Sequence, residues 1–154
     1  MDIETKTGQK PASYFEGILQ LRNPTPELID WVKKRITSDA KAKIAKIVPL
    51  ADGVDFYLSS QRYLRALGRL LRQRFFGELK TSRKLFSISP TGKRLYRVNV
   101  LFRFFNVKKG DVLKIGEEEF EVIGLDNQVR LKNIRTGKKI RKTIEFIARY
   151  LKAI

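Results

Sequence analysis

The sequence predicts an α+β protein, in which a two-helix αβ domain with a mainly antiparallel sheet is followed by a small β-barrel domain. Two observations lead to this prediction. Segments with helical spacing of apolar residues are separated by segments of strand-like alternation up to residue 106. Beyond residue 107, short apolar runs are separated by glycine-containing turns, which is typical of a small barrel. We therefore expect a flexible N-terminal tail at 1–13, the αβ domain at 14–106 and the barrel at 107–154.

The αβ domain is predicted to have the element order β-α-β-β-α-β-β. Thr25 is suited to cap the first helix, with Pro26 in its first turn, and Ser59 or Ser60 is suited to cap the second, which Gly77 ends. Alternating apolar residues predict the strands on either side. The expected strands are 14–22, 44–50, 54–58, 79–88 and 94–104, and the expected helices are about 26–36 and 60–75.

The barrel domain is predicted from four short strands and their turns. Turn residues stand at Gly116, at Asp126-Asn127 and at Thr136-Gly137. The segment 143–152 is compatible with either a last strand or a helix. The expected strands are 112–115, 120–125, 128–133 and 138–143.

Positive charge is concentrated in two parts of the chain. The 154 residues include 33 Lys and Arg against 16 Asp and Glu, a formal net charge of +17. Between Phe56 and Gly110 there are 14 basic residues and a single acid, Glu78, while seven basic residues lie between Asp126 and Glu145 without any acid. A solvated surface normally intersperses the two signs, since like charges repel. We therefore favour an external polyanion as the partner of these segments.

The candidate RNA-binding residues follow from where these charges fall on the predicted elements. In the second helix, four arginines lie on the side opposite a leucine stripe that we assign to the core. The others lie on the strand and turn after this helix, and around the Thr136-Gly137 turn of the barrel. The candidates are Arg62, Arg65, Arg69, Arg72, Lys80, Arg83, Lys84, Lys93, Arg94, Arg130, Lys132, Arg135, Lys138, Lys139 and Arg141.

Aromatic residues interleave with the basic ones, and we expect base stacking from one or two of them and core packing from most. They are Phe75, Phe76, Phe86, Tyr96, Phe102, Phe104 and Phe105.

The composition excludes several classes of site. The chain contains no Cys and no His, which excludes disulfides, thiol nucleophiles, histidine bases and zinc sites of the Cys/His type. No apolar run approaches the roughly 20 residues of a membrane-spanning helix, and the N-terminal segment lacks the apolar core of a signal peptide. We expect a soluble, cytoplasmic protein that is monomeric when free, is not an enzyme, and needs no metal or cofactor.

A metal-dependent nuclease is a remote alternative. Asp55, Glu78 and Lys80 imitate the pattern in which two carboxylates hold Mg²⁺ and a lysine steadies the attacked phosphate. The motif is short, common by chance and interrupted here by a whole helix.

Four separated segments resemble the Nmd-three family, the adaptors of the large ribosomal subunit, in the archaeal-type short form. They are residues 14–22 (YFEGILQLR), 53–60 (GVDFYLSS), 79–85 (LKTSRKL) and 95–101 (LYRVNVL). The resemblance extends over about residues 14–149. The sequence departs from the family in one respect, because the Cys-x-x-Cys pairs that hold zinc near the start of family members are absent.

The resemblance implies two modules and a ribosomal partner. The first module is similar to a large-subunit ribosomal protein of the L-twenty-two-e type. The second, through residues 109–115 (KGDVLKI) and 136–139 (TGKK), is similar to the N-terminal barrel of initiation factor five-A. The implied partners are ribosomal RNA and proteins of the large subunit, and the implied place is the joining face at the tRNA sites (E and P).

The function expected from charge and resemblance together is a non-enzymatic rRNA-binding factor of the large subunit, active in subunit biogenesis or quality control. The first alternative is a hibernation or anti-association factor that blocks the tRNA sites. A further alternative is a basic protein that coats DNA or a membrane surface.

Overall fold

The computed structural model describes residues 11–151, in two compact units. The first unit runs to Phe75 and continues over Leu79–Phe104, and the second comprises Phe76–Glu78 and the chain from Phe105. The first ten residues of the predicted tail, and residue 152 at the end of the ambiguous segment, lie outside the described residues. Within the described part of the chain, no helix is long and apolar enough to cross a membrane.

The element order predicted for the αβ domain is confirmed. Thr25 Oγ1 accepts a hydrogen bond from the Leu28 backbone N–H at 3.2 Å, and Ser60 Oγ accepts one from the Tyr63 N–H at 3.1 Å, so both predicted caps are formed. The second helix ends before Gly77, which opens the following strand instead of ending the helix. The elements are β1 (Gly17–Arg22), α1 (Pro26–Asp39), β2 (Ile44–Leu50), β3 (Gly53–Leu58), α2 (Gln61–Arg74), β4 (Gly77–Ile88) and β5 (Arg94–Phe104).

These five strands form one sheet in the order β2-β3-β1-β5-β4. β3 is antiparallel to both β1 and β2, whereas β1 and β5 are parallel, with Leu19 opposite Val100. The fully buried residues of the sheet alternate along the strands and form one core with the apolar sides of both helices. The opposite face of β5 carries Arg97, Asn99 and Arg103, which are half-buried.

The β4–β5 hairpin extends past the start of β1. β1 pairs with β5 only from Val98 onward, so Arg94–Arg97 lie beyond the central strand. A turn with Gly92 at φ +84° joins the two strands, and the Ser89 backbone N–H donates to the Lys93 carbonyl at 2.8 Å. We call residues 80–97 the hairpin arm. Its exposed apolar side chains are Leu85, Phe86, Ile88 and Leu95.

The second unit is an antiparallel sheet covered by a helix. The order is β6-β7-β8-β9, so among the described residues the sheet is open at both edges, and the predicted closed barrel is not confirmed. The ambiguous last segment is a helix, because Thr143 Oγ1 accepts from the Phe146 N–H and the apolar side of the helix covers the core of the sheet. The elements are β6 (Val112–Ile115), β7 (Glu118–Leu125), β8 (Val129–Asn133), β9 (Lys139–Lys142) and α3 (Ile144–Leu151).

Candidate nucleic-acid interface

Helix α2 is held tightly against the sheet. Leu64, Leu67 and Leu71 are fully buried at helical spacing. A Cβ placed on Gly68 would lie 2.9 Å from a methyl carbon of Val100, so this glycine allows the helix backbone to approach β5 closely. The opposite side of the helix is thereby fixed toward solvent.

A hydrogen bond joins the first turn of α2 to the end of α1. The Tyr63 hydroxyl donates to Asp39 Oδ2 at 2.6 Å. Burial raises the pKa of the Tyr63 hydroxyl, and the hydrogen bond to Asp39 raises it further. The same hydrogen bond holds the pKa of Asp39 below its ordinary value. The pair contributes to positioning α2, and it lies on the side of the helix away from the arginines.

The solvent side of α2 carries the predicted arginine row, Arg62, Arg65, Arg69 and Arg72, all exposed. Among the described residues, no acid forms an ion pair with Arg62, Arg65 or Arg69, and the first turn of the helix has no acidic residue. In α1, by contrast, Lys34 pairs with Asp30 at 2.9 Å and Arg35 pairs with Asp39 at 3.2 Å, each across one turn of the helix. Like charges at this spacing slightly weaken a helix, so Arg62, Arg65 and Arg69 are better explained by an external anion than by helix stability.

A cavity of about 520 Å³ lies where the hairpin arm meets the start of α2. It brings together four predicted residues, Arg65 of α2, Arg83 of β4, Lys93 of the β4–β5 turn and Arg94 of β5. Arg97 is a fifth cation in its lining, which the sequence interpretation did not include among the candidates. The alternation of β5 placed Arg97 on the face away from the core, and that was the signal that could have identified it.

Aromatic rings fix two of these guanidinium groups. The Arg97 guanidinium carbon lies 3.9 Å from the ring centroids of both Phe15 and Phe86, and that of Arg83 lies 4.4 Å from the ring of Tyr96. Cation–π contacts of this kind stabilise an arginine in one orientation while leaving the N–H groups at its edge available.

Glu16 is the acid in the lining of the cavity, and both its oxygens are engaged. Oε1 accepts from the backbone N–H of Gln61 at 2.8 Å, at the first turn of α2, and Oε2 accepts from the Tyr14 hydroxyl at 2.6 Å. Its position is therefore set by the helix terminus. Five cations against one carboxylate give the cavity a positive potential.

In the second unit, cations stand opposite cations. Arg130 of β8 is in register with Arg141 of β9, and Lys132 with Lys139, and all four side chains are exposed. Like charges directly across an antiparallel pair are destabilising. Glu121 of β7 is the neighbour of Lys132 on the other side and offsets part of this charge. The β8–β9 face therefore forms a second positive surface.

Arg130 is positioned by its neighbours on β7 and in the following turn. A Cβ on Gly124 would lie 2.2 Å from a terminal nitrogen of Arg130, so this guanidinium lies across the glycine, next to a bulge in β7. Asp126 Oδ2 lies 3.8 Å from Arg130 Nε, a long ion pair between exposed side chains.

The β8–β9 turn is organised by one buried side chain. Asn133 Oδ1 accepts from the Arg135 and Thr136 backbone N–H groups at 2.9 and 3.0 Å, and its Nδ2 donates to Glu118. This Asx arrangement holds the turn in place and leaves Arg135 and Lys138 exposed at it.

All fifteen candidate residues have exposed side chains. Lys80 and Lys84 lie on β4, outside the lining of the cavity. Of the interleaved aromatics, Phe102 and Phe105 are buried, and Phe75, Phe76 and Phe104 pack against the cores. Phe86 and Tyr96 remain as the stacking candidates.

The geometry does not support the nuclease motif. Arg22 Nη1 donates to Asp55 Oδ1 at 2.7 Å, so this carboxylate is already engaged. Lys80 is on β4, three strands from β3 in the sheet, which is about 14 Å at ordinary strand spacing. Among the described residues, no group of three acids could hold a metal ion.

The comparison with protein-family models shows which family the chain belongs to. The family model for NMD3, second domain, matches residues 14–104, which is more than half of the chain and ends with the last residue of β5. The chain belongs to the NMD3 family. This confirms the family resemblance and places the protein in a ribosome-related family. No curated protein sequence matches it. The NMD3 match contains the whole of α2 and the hairpin arm. The similarity of the second unit to the initiation factor barrel stays a prediction.

Proposed function

We propose that this NMD3-family protein is a non-enzymatic, cytoplasmic rRNA-binding factor of the large ribosomal subunit, which occupies the joining face at the E and P sites during subunit biogenesis or quality control. The observation that carries the proposal is the exposed arginine row of α2, without ion-paired acids among the described residues at Arg62, Arg65 and Arg69, inside the segment that matches NMD3.

The arginine row suits an RNA backbone. Arg62 to Arg72 span about 15 Å along the helix axis, at a rise of about 1.5 Å per residue. Planar guanidinium groups bind phosphate oxygens in a bidentate manner and stack on bases, which lysine does not do. Phosphate contacts provide affinity, and the shape of the folded RNA provides selectivity.

The β8–β9 face of the second unit adds an independent set of cations on the same chain. When two weak binding surfaces are covalently joined, engagement of one raises the effective concentration of the other. A long structured polyanion such as ribosomal RNA can satisfy both surfaces, whereas a small acidic ligand cannot.

Sedimentation of cell lysates on density gradients tests the proposed stage of action. A biogenesis or quality-control factor should migrate with free large subunits from growing cells. Accumulation on ribosomes of starved cells only would favour the hibernation role instead. Co-migration with small subunits, or none with ribosomal particles, would contradict the proposal.

A further inference from the structure

The cavity between the hairpin arm and the start of α2 contains features that phosphate binding alone does not require. Four aromatic residues, Tyr14, Phe15, Phe86 and Tyr96, line it together with its five cations. Phe86 is 44% exposed although it is apolar. A solvated cation patch has no need of an exposed ring, whereas a nucleobase binds to one by stacking.

The Arg97 side chain is held in an orientation that favours ligand binding. Its guanidinium is held between the rings of Phe15 and Phe86 at 3.9 Å from each, and its buried Nε has no hydrogen-bond partner among the described residues. Most buried donors in folded proteins are hydrogen-bonded. Because this Nε is buried, we assign contact with an anion to the outer edge of the guanidinium, which the two rings hold in one orientation.

The size and charge of the cavity favour a nucleotide over an acidic peptide. Its volume of about 520 Å³ is in the range of pockets that enclose a small organic ligand. Acidic side chains would satisfy the cations but would leave the rings unused. A nucleotide has both an anionic group and a flat aromatic group, which match the two kinds of residue present.

We propose that this cavity binds one unpaired nucleotide of RNA, with its phosphate held by the cationic side chains and its base stacked on the exposed surface of the Phe86 ring. The inference rests on the proposed function, since both require an RNA partner. It adds a specific contact to unpaired RNA, which a purely electrostatic surface does not distinguish from duplex.

The test compares Phe86→Ala, Phe86→Tyr and Arg97→Gln in the full chain, with Leu50→Ala as a control. Leu50 has a similar exposure, 42%, on the opposite edge strand β2. The probes are a labelled large-subunit rRNA fragment with an unpaired loop and the same strand annealed to its complement. Binding is measured by fluorescence anisotropy over a range of salt concentrations, and folding by circular dichroism.

Phe86→Ala should weaken binding to the looped RNA by about 5- to 150-fold and change the salt slope less than Arg97→Gln does, because stacking itself releases no counterions and Phe15 still contacts Arg97. Phe86→Tyr keeps the ring and should restore binding, while Leu50→Ala should bind as wild type. Arg97→Gln should also weaken binding, and should lower the salt slope by about 0.7. Binding of the duplex should be insensitive to Phe86→Ala.

Three results would overturn the inference, and they distinguish failure of the nucleotide site from failure of the proposed function. If wild type binds the looped RNA and Phe86→Ala binds it equally well, the nucleotide site is wrong and the proposed function stands. If wild type binds neither RNA, the proposed function fails and the nucleotide site fails with it. Equal losses in Phe86→Ala and Leu50→Ala would also refute the site.

Discussion

Neutralising the arginine row of α2 should weaken RNA binding by a calculable amount while leaving the fold intact. The double variant Arg62→Gln/Arg69→Gln removes two of the four exposed guanidinium groups. Each phosphate contact contributes about 0.7 to 0.9 to the slope of log K against log salt, so the slope should fall by about 1.4 to 1.8. When the salt concentration rises fourfold, from about 50 to about 200 mM, both proteins lose affinity. The factor by which the variant loses affinity should be about 7 to 12 times smaller than the factor for wild type.

The same variant should not be less stable. Arg62 and Arg69 take part in all three like-charge pairs at i,i+3 or i,i+4 spacing in the row. Each such pair costs about 0.2 to 0.5 kcal/mol, so removing them should leave the free energy of unfolding unchanged or raise it by up to about 1.5 kcal/mol. Loss of binding would then be separated from loss of structure.

Fluorescence anisotropy with a labelled large-subunit rRNA fragment measures the slope, and urea unfolding measures the stability. The matched control is Lys33→Gln/Lys41→Gln, which removes the same charge from exposed positions of the same unit outside the proposed interface. A wild-type slope in the Arg62/Arg69 variant, or an equal change in the control, would refute the role of the row.

Three further predictions concern stability and pH. Asn133→Ala should lower the free energy of unfolding by about 1 to 3 kcal/mol, because it removes the three hydrogen bonds that organise the β8–β9 turn; an unchanged urea midpoint would contradict this. Arg141→Gln should weaken RNA binding without lowering the melting temperature, because it relieves the repulsion with Arg130; a clear fall in melting temperature would show that the charge is structural. Tyr63→Phe tests how the pKa values of Tyr63 and Asp39 make the stability depend on pH. The raised pKa of Tyr63 means that its contribution is present below pH about 10 and is lost as the pH rises further, whereas the lowered pKa of Asp39 means that its contribution is present at neutral pH and is lost on acidification. The variant should therefore show a weaker dependence of stability on pH in both windows, and an unchanged profile would refute the assignment.

Local sequence patterns were sufficient for the elements of the first unit. The spacing of apolar residues, every two residues in strands and every 3.6 in helices, gives the correct order of strands and helices. It does so because one face of each element is buried in a common core. The caps at Thr25 and Ser60 were identifiable because a side-chain oxygen before a helix accepts a hydrogen bond from a backbone N–H of the first turn, which has no partner within the helix. The error at Gly77 arose because a glycine after a helix was interpreted as its end, although here it begins a strand.

Long-range arrangement was not predictable from these patterns. The parallel pairing of β1 with β5 joins segments about 80 residues apart, and nothing in either segment specifies its partner. The predicted closed barrel is not confirmed among the described residues, where the sheet is open at both edges, because short strands and tight turns are common to closed and open sheets. The fifteen surface cations were identifiable individually from charge, but the cavity was not, since Phe15, Arg65, Phe86 and Arg97 meet only in the folded chain.

Chemical footprinting of ribosomal RNA on purified large subunits, with and without the full chain, tests the proposed binding to the joining face. Nucleotides on the joining face should be protected, and small subunits should show no protection. The protection should disappear with Arg62→Glu/Arg65→Glu/Arg69→Glu and persist with Lys33→Gln/Lys41→Gln. Absence of protection, or protection that is equal on small subunits or in the arginine variant, would contradict the proposed function.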